Sequence, residues 1–454
     1  MFLLRLIARF FVFGFYFWKW AFPWLFNKPK RPYYLRRLFE DLGATWIKLG
    51  QIIASSPGLF KREYSQEFQA CLDRVPSFPF VDVKRTVEHD LGKSLTEAYA
   101  TFDETPIAAA SIAQVHGATL LDGTDVVVKV QRPRVAERVD ADLWVMHKAA
   151  LFGEWIFSEL KLANASGVIE DFHKTIHEEL DFTNEAKNMD EFNAIMVKHG
   201  ADKDICAPRI HWSHTTKRLI TMERFHGFKA DDVKTARELG IDTERVLRVG
   251  MRVWNLTMML HGFFHGDVHA GNLLYLPERK QIGFIDFGIV GRFDHTQRMA
   301  VMRYILSFVT QDYDELAKVM IEMGAATGKI DEAVLSADLR KVYQPLLEQK
   351  ISDIQYGKVL PDIVANARTH GLRAPREFIL IMKQLLYFDR YAKLAAPNLN
   401  VFNDVYLVDF LFTPAAAESG IDMMQVQKLL MGVQTMMMKQ MARQAQSQAQ
   451  SSPA

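Results

Sequence analysis

Between positions 265 and 288 the chain carries His265-Gly266-Asp267-Val268-His269-Ala270-Gly271-Asn272, a short apolar run, and then Ile285-Asp286-Phe287-Gly288. Asp267 and Asn272 are five apart, and Asp286 closes an apolar segment just before a glycine. Phosphoryl transfer needs this combination. One carboxylate orients or deprotonates the attacking hydroxyl or water, while an amide oxygen and a second carboxylate hold Mg²⁺ against nucleotide phosphates. Mg²⁺ is a hard ion that takes oxygen ligands, so Asn with Asp is chemically apt. Either half alone would read as a turn followed by a strand. Two spaced motifs in the right order favour the catalytic reading.

A cation must grip the phosphates. Val126-Val127-Val128-Lys129-Val130 follows the turn signal Asp122-Gly123-Thr124 and reads as a β-branched strand with a lysine inside it. Such a lysine needs a counter-ion or a phosphate, unless the strand lies at an edge where the side chain can snorkel. Acids follow on a long helical pattern, 165–198. Glu178, Asp181 and Glu185 fall on one stripe and Glu179 on a flanking face. Acid runs are usually solvated helix faces. The strand lysine changes the weighting: in kinases such a lysine pairs with a helix glutamate and grips the phosphates, and Lys129 with Glu185 is the pair that resembles this. Residues 209–225 suggest two strands around the turn 214–217, leading into a hinge. The chain then turns helical over 244–262, 296–325, 335–356 and 375–395. Earlier, residues 38–75 read as helices broken at Pro57-Gly58, with Lys48 and Gln51 on one helical face. On their own they would be solvent-facing residues. Pro76 and Pro79 mark a linker, and 81–104 suggests a helix and a turn.

The two ends have a different character. Residues 1–26 are dominated by Phe, Leu and Trp, and the basic run Lys28-Pro29-Lys30-Arg31 follows. No small-residue cleavage site follows the apolar region, so a signal peptide is not expected. Phe10 to Phe26 gives about 25 Å of helix with Lys19 inside it, marginal for a hydrocarbon core of about 30 Å. An interfacial or re-entrant anchoring helix is preferred, with a tilted span and a buried core helix as the alternatives. Segment 421–442 is a Met-rich amphipathic pattern, and 443–454 is polar and reads as disordered. The net charge of +1 over 454 residues implies no general attraction to nucleic acid. Two distant cysteines, Cys71 and Cys206, fit a reducing, cytosol-facing compartment.

Strand lysine, helix glutamate, hinge, Asp…Asn and Asp-Phe-Gly occur in the order of a protein-kinase-like fold. The glycine-rich loop is missing, and Ala108-Ala109-Ala110-Ser111 stands in its place. Alanine lacks glycine's easy positive φ, so this loop cannot fold over phosphates in the usual way. That loop, the Lys48-Leu49-Gly50-Gln51 helix and Glu179-Leu180-Asp181 closely resemble the UbiB family of atypical kinase-like ATPases. The resemblance runs from about Leu42 to about Asn400. It implies an α+β bilobal fold with a small antiparallel-sheet lobe, a large helical lobe and nucleotide in the cleft. It further implies membrane association and support of ubiquinone or other prenyl-lipid biosynthesis. ATP hydrolysis or small-molecule phosphorylation is favoured over protein phosphorylation.

Carried over residue by residue, Asp267 is the base or water-orienting carboxylate, Lys129 contacts phosphates with Glu185 as its partner, and Asn272 and Asp286 hold Mg²⁺. Lys48 and Gln51 guard the cleft and Glu179 and Asp181 meet them. Ala108 to Ser111 replace the phosphate loop, and Met222, Glu223 and Phe225 belong to the adenine-facing hinge. His269 stands where typical protein kinases carry a phosphate-contacting lysine. The implied layout is a membrane-associating segment (1–37), a helical extension (38–105), an N-lobe (106–225), a C-lobe (226–400) and a Met-rich helix with polar tail (401–454). Expected partners are ATP, membrane lipids or prenyl-quinone intermediates and other quinone-biosynthesis enzymes. Nucleic acid is not expected, a homodimer is allowed, and the expected location is the cytoplasmic face of a bacterial inner membrane. Two rival readings are an ATP-switched non-catalytic scaffold and a small-molecule kinase of the aminoglycoside or choline type.

Overall fold

The computed structural model describes residues 2–55, 62–72, 77–156, 165–326, 330–348, 363, 369–373, 376–396, 399 and 404–421, with scattered positions from 424 to 438. The break at Pro57-Gly58, most of the Met-rich segment and the polar tail lie outside the described residues. The chain forms two compact units. One is built from residues 1–194, 207–226 and 285–289, and the other from 195–206, 227–284 and 290–454.

The first unit contains an antiparallel sheet in the order Tyr99–Phe102, Ala113–Leu120, Asp125–Gln131, Leu219–Glu223, with Ala108–Ala109 added along Ala113–Leu120. In Asp125–Gln131 the side chains of Val126, Val128 and Val130 are fully buried against Val83 and Val87 of helix Phe80–Leu91. Strand alternation therefore turns Lys129 to the opposite face. Strand Ala113–Leu120 was not anticipated, because it carries Gln114 and His116 where a sheet core usually carries apolar residues. The two polar side chains are buried but satisfied. Gln114 Nε2 donates to His116 Nε2 (2.9 Å), and His116 Nδ1 donates to Asp103 O (2.7 Å). Burial lowers the His116 pKa.

Several expectations are corrected here. Residues 209–225 hold one strand rather than two, since the first reduces to a single bridge between Ile210 and Met222. Tyr99–Phe102 is a strand within the stretch read as helix and turn. The long helix over 165–198 is two helices, Ala165–Leu180 and Phe182–Lys198. Asp181 sits in the break, where its Oδ1 accepts from Thr183 N (3.1 Å). The acid stripe through Asp181 does not exist, and Glu179 of the first helix is buried.

Helix Phe2–Phe26 lies in the same unit and packs on helices Arg31–Leu42 and Val135–Ile156. Arg9 donates to Asp142 Oδ1 (2.6 Å) and Leu42 O (2.8 Å), Phe13 stacks on Trp46, and Lys19 and Trp20 both reach Asp41. The other face exposes Phe11, Phe15, Trp18, Phe22 and Phe26 at helical spacing. Among the described residues, no helix is long and apolar enough to cross a membrane.

The second unit is mainly helical. Helix Thr243–His261 is capped by Asp242, which accepts from Arg245 N, and is ended by Gly262 at φ +64°. A Cβ at Gly262 would also meet Phe293 O at 2.2 Å, so the turn requires glycine. The helix delivers the strand Phe263–His265, paired with Val290–Arg292. A small sheet follows in the order Ile205–Cys206, Gln281–Phe284, Leu273–Leu276, Phe228–Lys229. Stretch 296–325 is two helices, His295–Thr310 and Tyr313–Met323, divided where Asp312 caps the second. Helix Arg376–Ala395 packs on Thr243–His261, with Trp254 edge-on to Phe388.

Candidate active site

Within the first unit, Lys129 Nζ donates to both carboxylate oxygens of Glu185, at 2.8 and 2.9 Å. The Phe182 ring lies beside the ammonium at 5.3 Å, and Asp286 Oδ2 stands 3.9 Å away. Burial disfavours the charge on Lys129, but Asp286 and Glu185 outweigh it and its pKa is raised. The ammonium is therefore fixed in its charged form, as a phosphate grip requires. Burial also raises the Glu185 pKa, with Lys129 opposing.

One helix aligns this group. On Phe182–Lys198, Glu185, Asn188 and Phe192 follow at helical spacing. Asn188 Nδ2 donates to Phe287 O (3.0 Å), and Phe192 packs on the fully buried Phe287 ring. Asp286 is thereby held in a tight turn, its Oδ1 accepting from Gly288 N (2.9 Å). It remains about two-fifths exposed, so a carboxylate oxygen can reach a solvated ligand.

Lys48 Nζ pairs with Glu179 Oε2 at 2.7 Å, and both are largely buried. Gln51 Nε2 donates to Cys71 O (3.1 Å). The expected meeting of Asp181 with this pair is corrected, because the helix break aims its carboxylate at Thr183, with Lys217 3.9 Å away. The alanine segment is a short hairpin arm. Ala108 pairs with Val115 and Ala109 with Gln114, Arg132 Nε donates to Ala110 O (3.0 Å), and Ser111 is buried. Met222 and Glu223 lie on the strand opposite Val127 and Val126, and Phe225 follows it, half-buried.

The second unit holds the other group. Asp267 N donates to His265 Nδ1 (3.1 Å), and Asn272 Nδ2 donates to Asp267 O (3.0 Å). This bond fixes the orientation of the Asn272 amide. Two residues that the sequence did not point to complete the loop. Gln384, fully buried, accepts from Val268 N (2.8 Å) and donates to Gly266 O (2.8 Å). Lys383 Nζ reaches Asp267 Oδ1 at 2.5 Å. Asn188 and Phe182 were also missed as site residues. Asn188 was legible, three positions after Glu185 and so on the same face.

A two-unit chain with a lysine-bearing antiparallel sheet, a helical unit and these two polar groups is a kinase-like protein. The family model described as the ABC1 atypical kinase-like domain matches residues 70–320, and the UbiB helical domain matches residues 339–400. An uncharacterized chloroplastic aarF domain-containing protein kinase of Arabidopsis thaliana is 37% identical over 397 residues, covering 82% of this chain and 73% of the relative. An uncharacterized protein of Mycobacterium tuberculosis is 38% identical over 377 residues, 83% of this chain and 77% of that one. A probable protein kinase UbiB of Marinobacter nauticus is 32% identical over 387 residues, 84% and 70% respectively. The chain belongs to the UbiB family of ABC1 atypical kinase-like proteins.

Proposed function

We propose that this protein binds Mg-ATP and uses it, by hydrolysis or by phosphorylation of a small or lipid-like acceptor, in support of ubiquinone or related prenyl-lipid biosynthesis at a membrane. The observation that carries the reading is the charged Lys129 clamped by the buried Glu185 with Asp286 3.9 Å away. A buried lysine held this way is positioned to receive anionic phosphates. The relatives named probable protein kinase UbiB support the quinone assignment.

Mg²⁺ fits the residues present. Among the described residues, no three His, Cys, Asp or Glu side chains are grouped as a metal cage. Mg²⁺ does not need one, since it is commonly held by one or two carboxylates plus waters and substrate phosphates. Asp286, beside Lys129, would be a protein ligand, and the ion would neutralise charge on the phosphates. Asp267 orients the attacking water or hydroxyl and accepts its proton. Lys129 holds the triphosphate in place. A membrane location is supported by helix Phe2–Phe26, whose exposed aromatic face and adjoining exposed Lys28 and Lys30 suit an anionic membrane surface.

The test uses full-length protein with anionic vesicles and Mg-ATP. Asp286→Asn should abolish phosphate release, and a strain lacking the native protein should regain normal quinone levels with the wild type but not with Asp267→Asn. Phosphate release unchanged by Asp286→Asn rejects the enzymatic reading. Full quinone rescue by Asp267→Asn would point to the scaffold instead.

A further inference from the structure

We infer that Lys383, from helix Arg376–Ala395, is the cation that contacts the transferred phosphoryl group, in place of the lysine the catalytic loop lacks. The inference rests on the ATP-dependent reading above and deepens it.

Two residues after Asp267 the loop carries His269. This imidazole is half exposed, its Nε2 is 3.8 Å from Asp267 Oδ2, and its Nδ1 accepts from Gly271 N to shape the loop. An imidazole is a less dependable source of positive charge for a developing phosphoryl oxyanion than an ammonium. The ammonium is present on the other side of the same carboxylate, where Lys383 Nζ meets Asp267 Oδ1. Lys383 comes from 116 positions away in sequence, so loop spacing cannot place it. Its neighbour does. Gln384 is fully buried and bonds the backbone on both sides of Asp267, at Gly266 O and Val268 N. The two residues act as one fitting. Gln384 fixes the helix to the loop, and Lys383 is carried to the carboxylate as a consequence.

Lys383 keeps about a quarter of its side chain exposed. Its ammonium has three donors, one of them spent on Asp267, so it can also reach an oxygen of a phosphoryl group approached by the water that Asp267 orients. In hydrolysis the bond from the γ-phosphorus to the bridging oxygen breaks as a bond to the water oxygen forms. ADP leaves with the electron pair, one proton of the water goes to Asp267, and Lys383 transfers no proton. An ammonium so placed acts on the transition state more than on ground-state ATP, and its loss should lower kcat rather than raise KM.

The experiment measures kcat, KM, equilibrium Mg-ATP affinity and melting temperature for the full-length protein and for Lys383→Met and Lys383→Arg. The expected result is a kcat lowered by roughly 100-fold or more in Lys383→Met. KM and affinity should stay within about threefold, melting should change little, and Lys383→Arg should recover most of the rate. A Lys383→Met protein that turns over at the wild-type rate, or faster, overturns the inference while leaving the ATP-dependent reading intact; faster turnover would identify the lysine as a brake on Asp267. A wild type that hydrolyses no ATP and phosphorylates no acceptor overturns both.

Discussion

Replacing Lys129 with methionine separates structural from chemical effects at one position. The substitution removes a charge bonded at 2.8 and 2.9 Å to a carboxylate that is almost wholly buried. Breaking such a pair on one side costs about 3–5 kcal/mol, because the remaining charge is stranded. Melting of the sheet-bearing unit should fall by on the order of 10 °C. The loss should depend on pH in a specific direction. Burial already raises the Glu185 pKa above its ordinary 4.5, and without Lys129 it rises further. A carboxyl with a raised folded-state pKa favours folding below about 4.5 and loses that contribution as pH climbs through the folded value. The deficit relative to wild type should therefore be larger at pH 8 than at pH 5. ATP binding should drop as well, since one ammonium–phosphate contact at about 4 Å is worth up to ~4 kcal/mol at an effective dielectric of about 20. Pairing the change with Glu185→Leu should restore much of the stability and none of the binding. Denaturation across pH with parallel calorimetric titration of Mg-ATP reads all three quantities. Unchanged ATP affinity in Lys129→Met, or a deficit that ignores pH, would refute the reasoning.

Three further outcomes are expected. Gly50→Ala should destabilise by about 1–3 kcal/mol, because a Cβ there meets the fully buried Phe68 ring at 2.9 Å and Cys71 Sγ at 3.1 Å; chemical denaturation checks it, and a neutral result would mean helix 44–55 packs more loosely than described. His116 is buried with a lowered pKa, so the unfolded chain binds its proton first and stability should fall as pH drops below about 6.5; melting curves from pH 7.5 to 5.5 should show a slope that flattens in His116→Gln. The triple change Phe11→Ser, Trp18→Ser and Phe22→Ser removes exposed apolar surface only, so it should abolish co-sedimentation with anionic vesicles while leaving the melting temperature within a few degrees.

Strong single-residue contrasts were the most legible features. A lysine among valines identified strand Asp125–Gln131, and the two motifs marked Asp267, Asn272 and Asp286, each of which sits in a hydrogen-bonded turn of its own unit. Strand Ala113–Leu120 escaped because its buried polar side chains satisfy each other, which composition cannot express. The break at Asp181 had a cue in an Asp two residues before a Thr, a common helix start, but the helical period on either side masked it. Lys383 and Gln384 had no cue. On a helix of mixed character they resemble any exposed pair, and their role appears only through contacts 116 and 118 positions away in sequence.

The grip of Gln384 on the loop bears on how the chain can be divided. The kinase-like match ends at residue 320, whereas the side chain that satisfies Gly266 O and Val268 N belongs to the following match at 339–400. A fragment trimmed to the first boundary would leave a buried carbonyl and a buried amide without their partner, at about 1–3 kcal/mol each. The two homology segments are therefore not interchangeable modules. A chimera that swapped the later segment from a distant relative would have to preserve the glutamine as well as the surface around it.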